Sequence, residues 1–157
     1  MGMLRLATMA SDGKANLHQG AVGIGLDIGT GRSVAAVQYN RPVQRHPDTQ
    51  SGLEDIVIPR WRDLLMLTSR CYEATQLGYL GCDIVIDAKR GPLLLEMNAR
   101  PGLSIQIANN EGLLPRLQFI ESQRAQALNV QERVDLAMKW FDRTPMEQVD
   151  RAINAVV

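Results

Sequence analysis

The chain has 157 residues, with 17 Lys plus Arg against 17 Asp plus Glu and a formal net charge of +0, so no long-range field draws it to nucleic acid or to an anionic membrane. Hydrophobic residues at 45% and charged residues at 22% are the proportions of a globular chain able to bury a core, while 4% aromatic residues exclude a stacking platform for bases. Cys71 and Cys82 form no CxxC motif or disulfide framework, no apolar run approaches 18 residues, and Arg5 breaks the opening run where a signal peptide needs continuity, so a cytoplasmic protein with no membrane partner is expected.

In chain order, residues 3–10 are a short apolar run and a strand candidate. Residues 11–20, SDGKANLHQG, form a polar loop. Residues 21–28 (AVGIGLDI) and 33–39 (SVAAVQY) make a strand-turn-strand unit around Gly29-Thr30-Gly31, in which Gly23 and Gly25 leave room for close backbone approach. Residues 40–59 contain Pro42, Pro47 and Pro59 and little periodicity, which reads as a long loop; its Arg41, Arg45 and His46 read as ordinary solvated charges. Trp61, Leu64, Leu65, Tyr72 and Leu77 recur near helical spacing between Pro59 and Gly78, the clearest helix of the chain. Beyond residue 103, short helical pieces are expected at 105–108 and 113–120. A helix is expected at 130–141, with Val130, Val134, Ala137 and Phe141 on one face. Another should open at the capping box Thr144-Pro145-Met146-Glu147. The sum is an α+β fold, an antiparallel sheet flanked by helices over residues 1–116, followed by a helical tail over 117–157.

Residues 80–103, LGCDIVIDAKRGPLLLEMNARPGL, organise the rest. Two apolar runs flank the turn Ala88-Lys89-Arg90-Gly91, the pattern of a β-hairpin. With the turn centred between Lys89 and Arg90, Ile84 faces Leu95, Ile86 faces Leu93, and Asp83 lies opposite Glu96. Asn98 follows Glu96 at the strand period of two. Like charges directly opposite repel across about 5 Å. Either these carboxylates are solvated or neutralised by Lys89 or Arg90, or a cation sits between them. Two carboxylates and an amide oxygen are hard ligands suited to Mg²⁺ with substrate phosphates.

The order of NLHQG, a helix, and a strand Asp followed by LEMNARPGL resembles the C-terminal half of an ATP-grasp ligase domain, over roughly residues 4–114. The likeness is to the glutamate-ligase-like branch, including the ATP-grasp proteins associated with sugar transfer. It implies that Asp83, Glu96 and Asn98 are Mg²⁺ ligands, with Glu96 also serving the nucleotide, and that Mg²⁺ and ATP are the cofactors. It implies catalytic roles for Arg100, beside the metal strand, and for Lys14; the alternative for Arg100 is a surface Arg paired with a nearby carboxylate. Asn16 and His18 would bind the triphosphate from the NLHQG loop, although a loop His such as His18 is as often a structural hydrogen-bonder. The implied reaction joins a small-molecule or peptide carboxylate to an amine through an acyl phosphate. The family's adenine pocket has no counterpart before residue 4, so the chain is expected to bind ATP poorly alone. It would complement a missing N-terminal half, supplied by a longer protein or by another chain. The rival expectation is a non-catalytic scaffold that forms a homo-oligomer through its C-terminal helices.

Overall fold

The fold grows outward from one strand that is buried on both faces. The computed structural model describes residues 1–123 and 127–143. Val22–Leu26 (β2) lies between Gly2–Leu6 (β1) and Ser33–Gln38 (β3), and Arg41–Pro42 (β4) closes a four-stranded antiparallel sheet in chain order. Every residue of β2 is buried. Val22 and Ile24 meet Ala36 and Leu53, with Leu4, Leu6, Val43 and Ile56 packed around them. Gly23 and Gly25 alternate onto the opposite face, where only a residue without a side chain fits. A Cβ on Gly25 would stand 2.3 Å from the Ala108 carbonyl oxygen, and one on Gly23 would stand 2.9 Å from Leu17 Cδ2.

The element that approaches Gly25 is the short helix Ser104–Asn109 (α2). Its fully buried Asn109 donates Nδ2 to the Gly2 carbonyl at 2.9 Å and to the Ile105 carbonyl at 2.8 Å, fastening the helix to β1.

Trp61–Thr75 (α1) begins two residues after Pro59, with Arg60 in the left-handed region at its start, and is ended by left-handed Gln76 rather than by Gly78. Its Trp61 indole donates to the Ile28 carbonyl at 2.8 Å and lies over Gly31, whose φ of +72° and lost side-chain space both require glycine. A second apolar cluster, Leu26, Ile58 and Leu64 with Trp61 and Ile84, joins the sheet, α1 and the hairpin.

The hairpin is Gly81–Asp87 (β5) paired with Gly91–Asn98 (β6), a separate two-stranded sheet. Leu114–Ser122 (α3) and Val130–Trp140 (α4) follow. The latter folds back on α1, where Arg133 bonds Glu73 and Ser69 and Arg62 pairs with Asp135. The helix expected from Thr144 lies outside the described residues.

Two expectations need correction. Residues 40–59 are not a structureless solvated loop. Leu53, Ile58 and His46 are buried, and bridges join Arg45 to Gly52 and Arg32 to Val57. His46 Nε2 donates to the Ala7 carbonyl at 3.0 Å while Nδ1 accepts from the Asp48 and Thr49 amides, so this imidazole is a structural tie. The hairpin register is also only partly as expected. Cys82 faces Met97 and Asp83 faces Glu96, but a bulge after Asp83 moves Ile84 onto Leu94 and Ile86 onto Pro92. The turn is one residue longer than a centre between Lys89 and Arg90 gives: Ala88, Lys89 and Arg90 lie inside the closing pair. Asp87 pairs with Gly91, and the Asp87 carboxylate accepts from the Lys89 and Arg90 amides at 2.9 and 2.8 Å, which holds its carboxyl below the usual range.

Candidate functional site

The register places Asp83 on β5 directly opposite Glu96 on β6. Asn98 is two residues beyond Glu96 on the same strand face. The bulge falls one step toward the turn from this pair, so it spares the carboxylate register and displaces only the apolar pairs beyond it. Bulges of this kind re-aim side chains beside functional positions.

Each of the three donors has a different environment. Asp83 Oδ2 is 2.7 Å from Arg5 Nη2. The neutralising cation is therefore neither Lys89 nor Arg90 but Arg5 of β1. Its one signal was an isolated charge in an apolar run. Glu96 is exposed and has no hydrogen bond or ion pair among the described residues. Asn98 Oδ1 accepts from the Arg100 amide at 2.9 Å, which turns the chain away at the strand end. The Arg100 side chain is exposed and bound to no carboxylate among the described residues.

These residues fit a hard divalent cation. Only one Asp83 oxygen is engaged, Glu96 has both free, and an amide oxygen that accepts one bond keeps a second lone pair. No group of three His, Cys, Asp or Glu side chains stands together among the described residues, so this set depends on the Asn98 amide as its third donor.

Cys82, next to Asp83, is brought against Cys71 of α1, a contact that chain spacing did not disclose. Burial first, and then the hydrogen bond with Cys71, push the Cys82 thiol up to about 12. A thiol held protonated in this way is an inert packing group.

The SDGKANLHQG loop is anchored at both ends and open in the middle. Ser11 Oγ donates to the Thr8 carbonyl at 3.0 Å, and the Gly20 carbonyl accepts from Thr8 Oγ1 at 2.9 Å and Gln38 Nε2 at 2.8 Å. Between these anchors Lys14, Asn16 and His18 are exposed. Asn16 caps the 3₁₀ turn Leu17–Gln19 by accepting from the His18 amide at 3.0 Å, and Lys14 Nζ is 3.5 Å from Asp12. Leu17 packs on Gly23, the register partner of Arg5. Loop, Arg5 and Asp83 thus gather on one side of the sheet. A shallow cleft of about 200 Å³ puts His18 beside Ser104, the first residue of α2. No hydrogen bond or ion pair among the described residues joins Lys14, Asn16 or His18 to Asp83, Glu96, Asn98 or Arg100.

No helix among the described residues is long and apolar enough to cross a membrane. No curated protein and no solved structure matches the chain at a significant level. A model of the sugar-transfer associated ATP-grasp family matches residues 1–122, a span that contains the loop, the sheet, α1 and the hairpin. The chain therefore belongs to the sugar-transfer associated ATP-grasp family and carries its ATP-dependent, ligase-like fold.

Proposed function

We propose that the chain provides the metal-binding and phosphoryl-contacting part of an ATP-dependent carboxylate–amine ligase. The observation that carries this reading is the facing pair Asp83 and Glu96, with Asn98 two residues on, within a chain of this family. Mg²⁺ bound there would neutralise triphosphate oxygens and clamp the transferring phosphoryl group. Asp83, Glu96 and Asn98 hold the cation. The Arg100 fork binds an oxygen of the phosphoryl group in transit. From the loop, Lys14 contributes a positive charge, while Asn16 and His18 donate hydrogen bonds to the triphosphate.

In the reaction a substrate carboxylate oxygen forms a bond to the γ-phosphorus as the bond to the ADP oxygen breaks. An amine nitrogen then bonds the acyl carbon as the carbon's bond to the phosphate oxygen breaks, which releases inorganic phosphate while the nitrogen's proton passes to solvent. The protein makes no covalent bond of its own, so the rate rests on positioning and charge. ATP use and two free thiols fit a cytoplasmic setting.

Hydroxylamine intercepts acyl phosphates as hydroxamates, which gives a direct test. With ATP, Mg²⁺ and a panel of amino-acid, peptide and sugar carboxylates, hydroxamate should form once the chain is combined with the N-terminal half that carries the adenine pocket. It should fall by about 10² or more in Asp83→Asn and Glu96→Gln. Equal yield from these variants would overturn the assignment.

One observation favours a second reading, that of an interaction module. Val85, Ile86, Leu95 and Met97 leave exposed apolar side chains on both faces of the hairpin, Leu95 by 65%. Exposed apolar surface of this kind marks contact sites. A tight self-association in sedimentation with no hydroxamate formation would favour it.

A further inference from the structure

A second polar cleft lies at the other end of the hairpin. It occupies about 450 Å³ between α1, the β5–β6 turn and the start of α4, a volume in the range of small-ligand sites. Three register pairs separate the Asp83–Glu96 pair from the turn pair Asp87–Gly91, or about 13 Å of strand at roughly 3.3 Å per residue. This cleft is distinct from the metal-binding end.

Four guanidiniums line it, from Arg60, Arg62, Arg70 and Arg90, against the single lining carboxylate of Asp63. Arg60 pairs with Asp63 at 2.7 Å and Arg62 pairs with Asp135. Arg70 and Arg90 are exposed and have no acidic partner among the described residues. A chain with no net charge thus concentrates two uncompensated cations in one concavity, where like charges repel unless an anion joins them.

The cleft also has a built floor. Asp63, Met66, Leu67 and Arg70 follow the i, i+3, i+4, i+7 stripe of one face of α1, so an apolar middle is bracketed by charge. Gly91, at φ +78°, makes room for Arg60: a Cβ there would stand 2.1 Å from Arg60 Nη1. A larger residue at this turn would make the end of the Arg60 side chain shift, so Gly91 favours the guanidinium where it stands.

We propose that this cleft binds a small soluble phosphate ester, with its phosphoryl oxygens on Arg70 and Arg90 and its organic part on Met66 and Leu67. Paired guanidinium forks match phosphate geometry, and the apolar floor selects an ester over inorganic phosphate. A concave site between a helix and a hairpin turn suits a molecule rather than a bilayer plane.

Phenyl phosphate is the probe, titrated calorimetrically into the full chain without divalent metal. It should bind saturably and more tightly than inorganic phosphate. Arg70→Ala and Arg90→Ala should each weaken it roughly tenfold or more, with unchanged circular dichroism because both residues are exposed. Arg45→Ala removes an arginine elsewhere and should leave binding intact. No saturable binding, or equal weakening by Arg45→Ala, would overturn the proposal. So would Arg70- and Arg90-dependent capture by phosphatidate vesicles without phenyl phosphate binding. None of these readouts involves Asp83 or Glu96, so failure here leaves the ligase reading standing, and the reverse also holds.

Discussion

Arg5 and Asp83 link the four-stranded sheet to the hairpin through one ion pair whose side chains are 36% and 43% exposed. Pairs this wet contribute only about 0.2–1 kcal/mol, so the contact is a weak strut. Its larger effect is on the carboxylate, because a guanidinium on one Asp83 oxygen already compensates the charge that a metal at the other oxygen would meet. Arg5→Ala is expected to change the melting temperature little and to raise Mg²⁺ affinity in titrations; a fall in affinity would mean that Arg5 instead orients the ligand. Gly25 presents the opposite case, where geometry rather than charge decides. With backbone 2.3 Å from its missing Cβ, Gly25→Ala must push α2 off β2. Overpacking of this kind costs about 1–3 kcal/mol, measurable by urea unfolding, whereas an unchanged midpoint would mean that α2 is not seated on the sheet. The sequence disclosed that something approaches Gly25. It could not disclose that the neighbour is Ala108, because that contact spans more than eighty residues of chain.

Among the elements, the hairpin was legible because its apolar alternation and turn residues are local signals, and the Asp83–Glu96 pairing follows from them. Its bulge was not legible. Leu93, Leu94 and Leu95 are chemically alike, so nothing in the sequence says which of them is left unpaired. The loop between β4 and α1 misled for a related reason. Three prolines obscure periodicity, while the burial of Leu53, Ile58 and His46 depends on distant partners. At α4 apolar periodicity marks the helix, and its start is set by a cap. Asn129 Oδ1 accepts from the Glu132 amide at 3.0 Å while the Glu132 carboxylate accepts from the Asn129 amide at 2.8 Å. This reciprocal pair fixes where α4 starts along α1. Asn129→Ala should cost about 0.5–2 kcal/mol of stability and loosen hydrogen-exchange protection first in the opening turn of α4. Uniform protection would show that the packing of α4 on α1 suffices without the cap.

For the molecule as a whole, a charged cluster ties the end of α4 back to the sheet. Arg116 is buried, holds Glu111 through two bonds of 3.0 and 2.8 Å, and lies 4.7 Å from the Phe141 ring centroid. Arg143 also bonds Glu111, and its amide donates to Asp27 at 2.8 Å. The Arg116 hydrogen bond, followed by that of Arg143, outweighs partial burial and holds the Glu111 carboxyl down to about 2 from 4.5. A depressed carboxyl stabilises the fold fully above its unfolded value and loses that contribution as pH falls through 4.5 toward 2. The difference in melting temperature between wild type and Glu111→Gln should therefore shrink steadily between these limits; a difference independent of pH would contradict the latch. The divalent-metal site proposed at the open end of the hairpin can be read directly. Mn²⁺ substitutes for Mg²⁺ at oxygen ligands and broadens nearby nuclei, so titrating it into ¹⁵N-labelled protein reads the site residue by residue. Broadening should begin at Asp83, Glu96 and Asn98 and disappear in Glu96→Gln; broadening that begins elsewhere, or that survives in Glu96→Gln, would contradict the account.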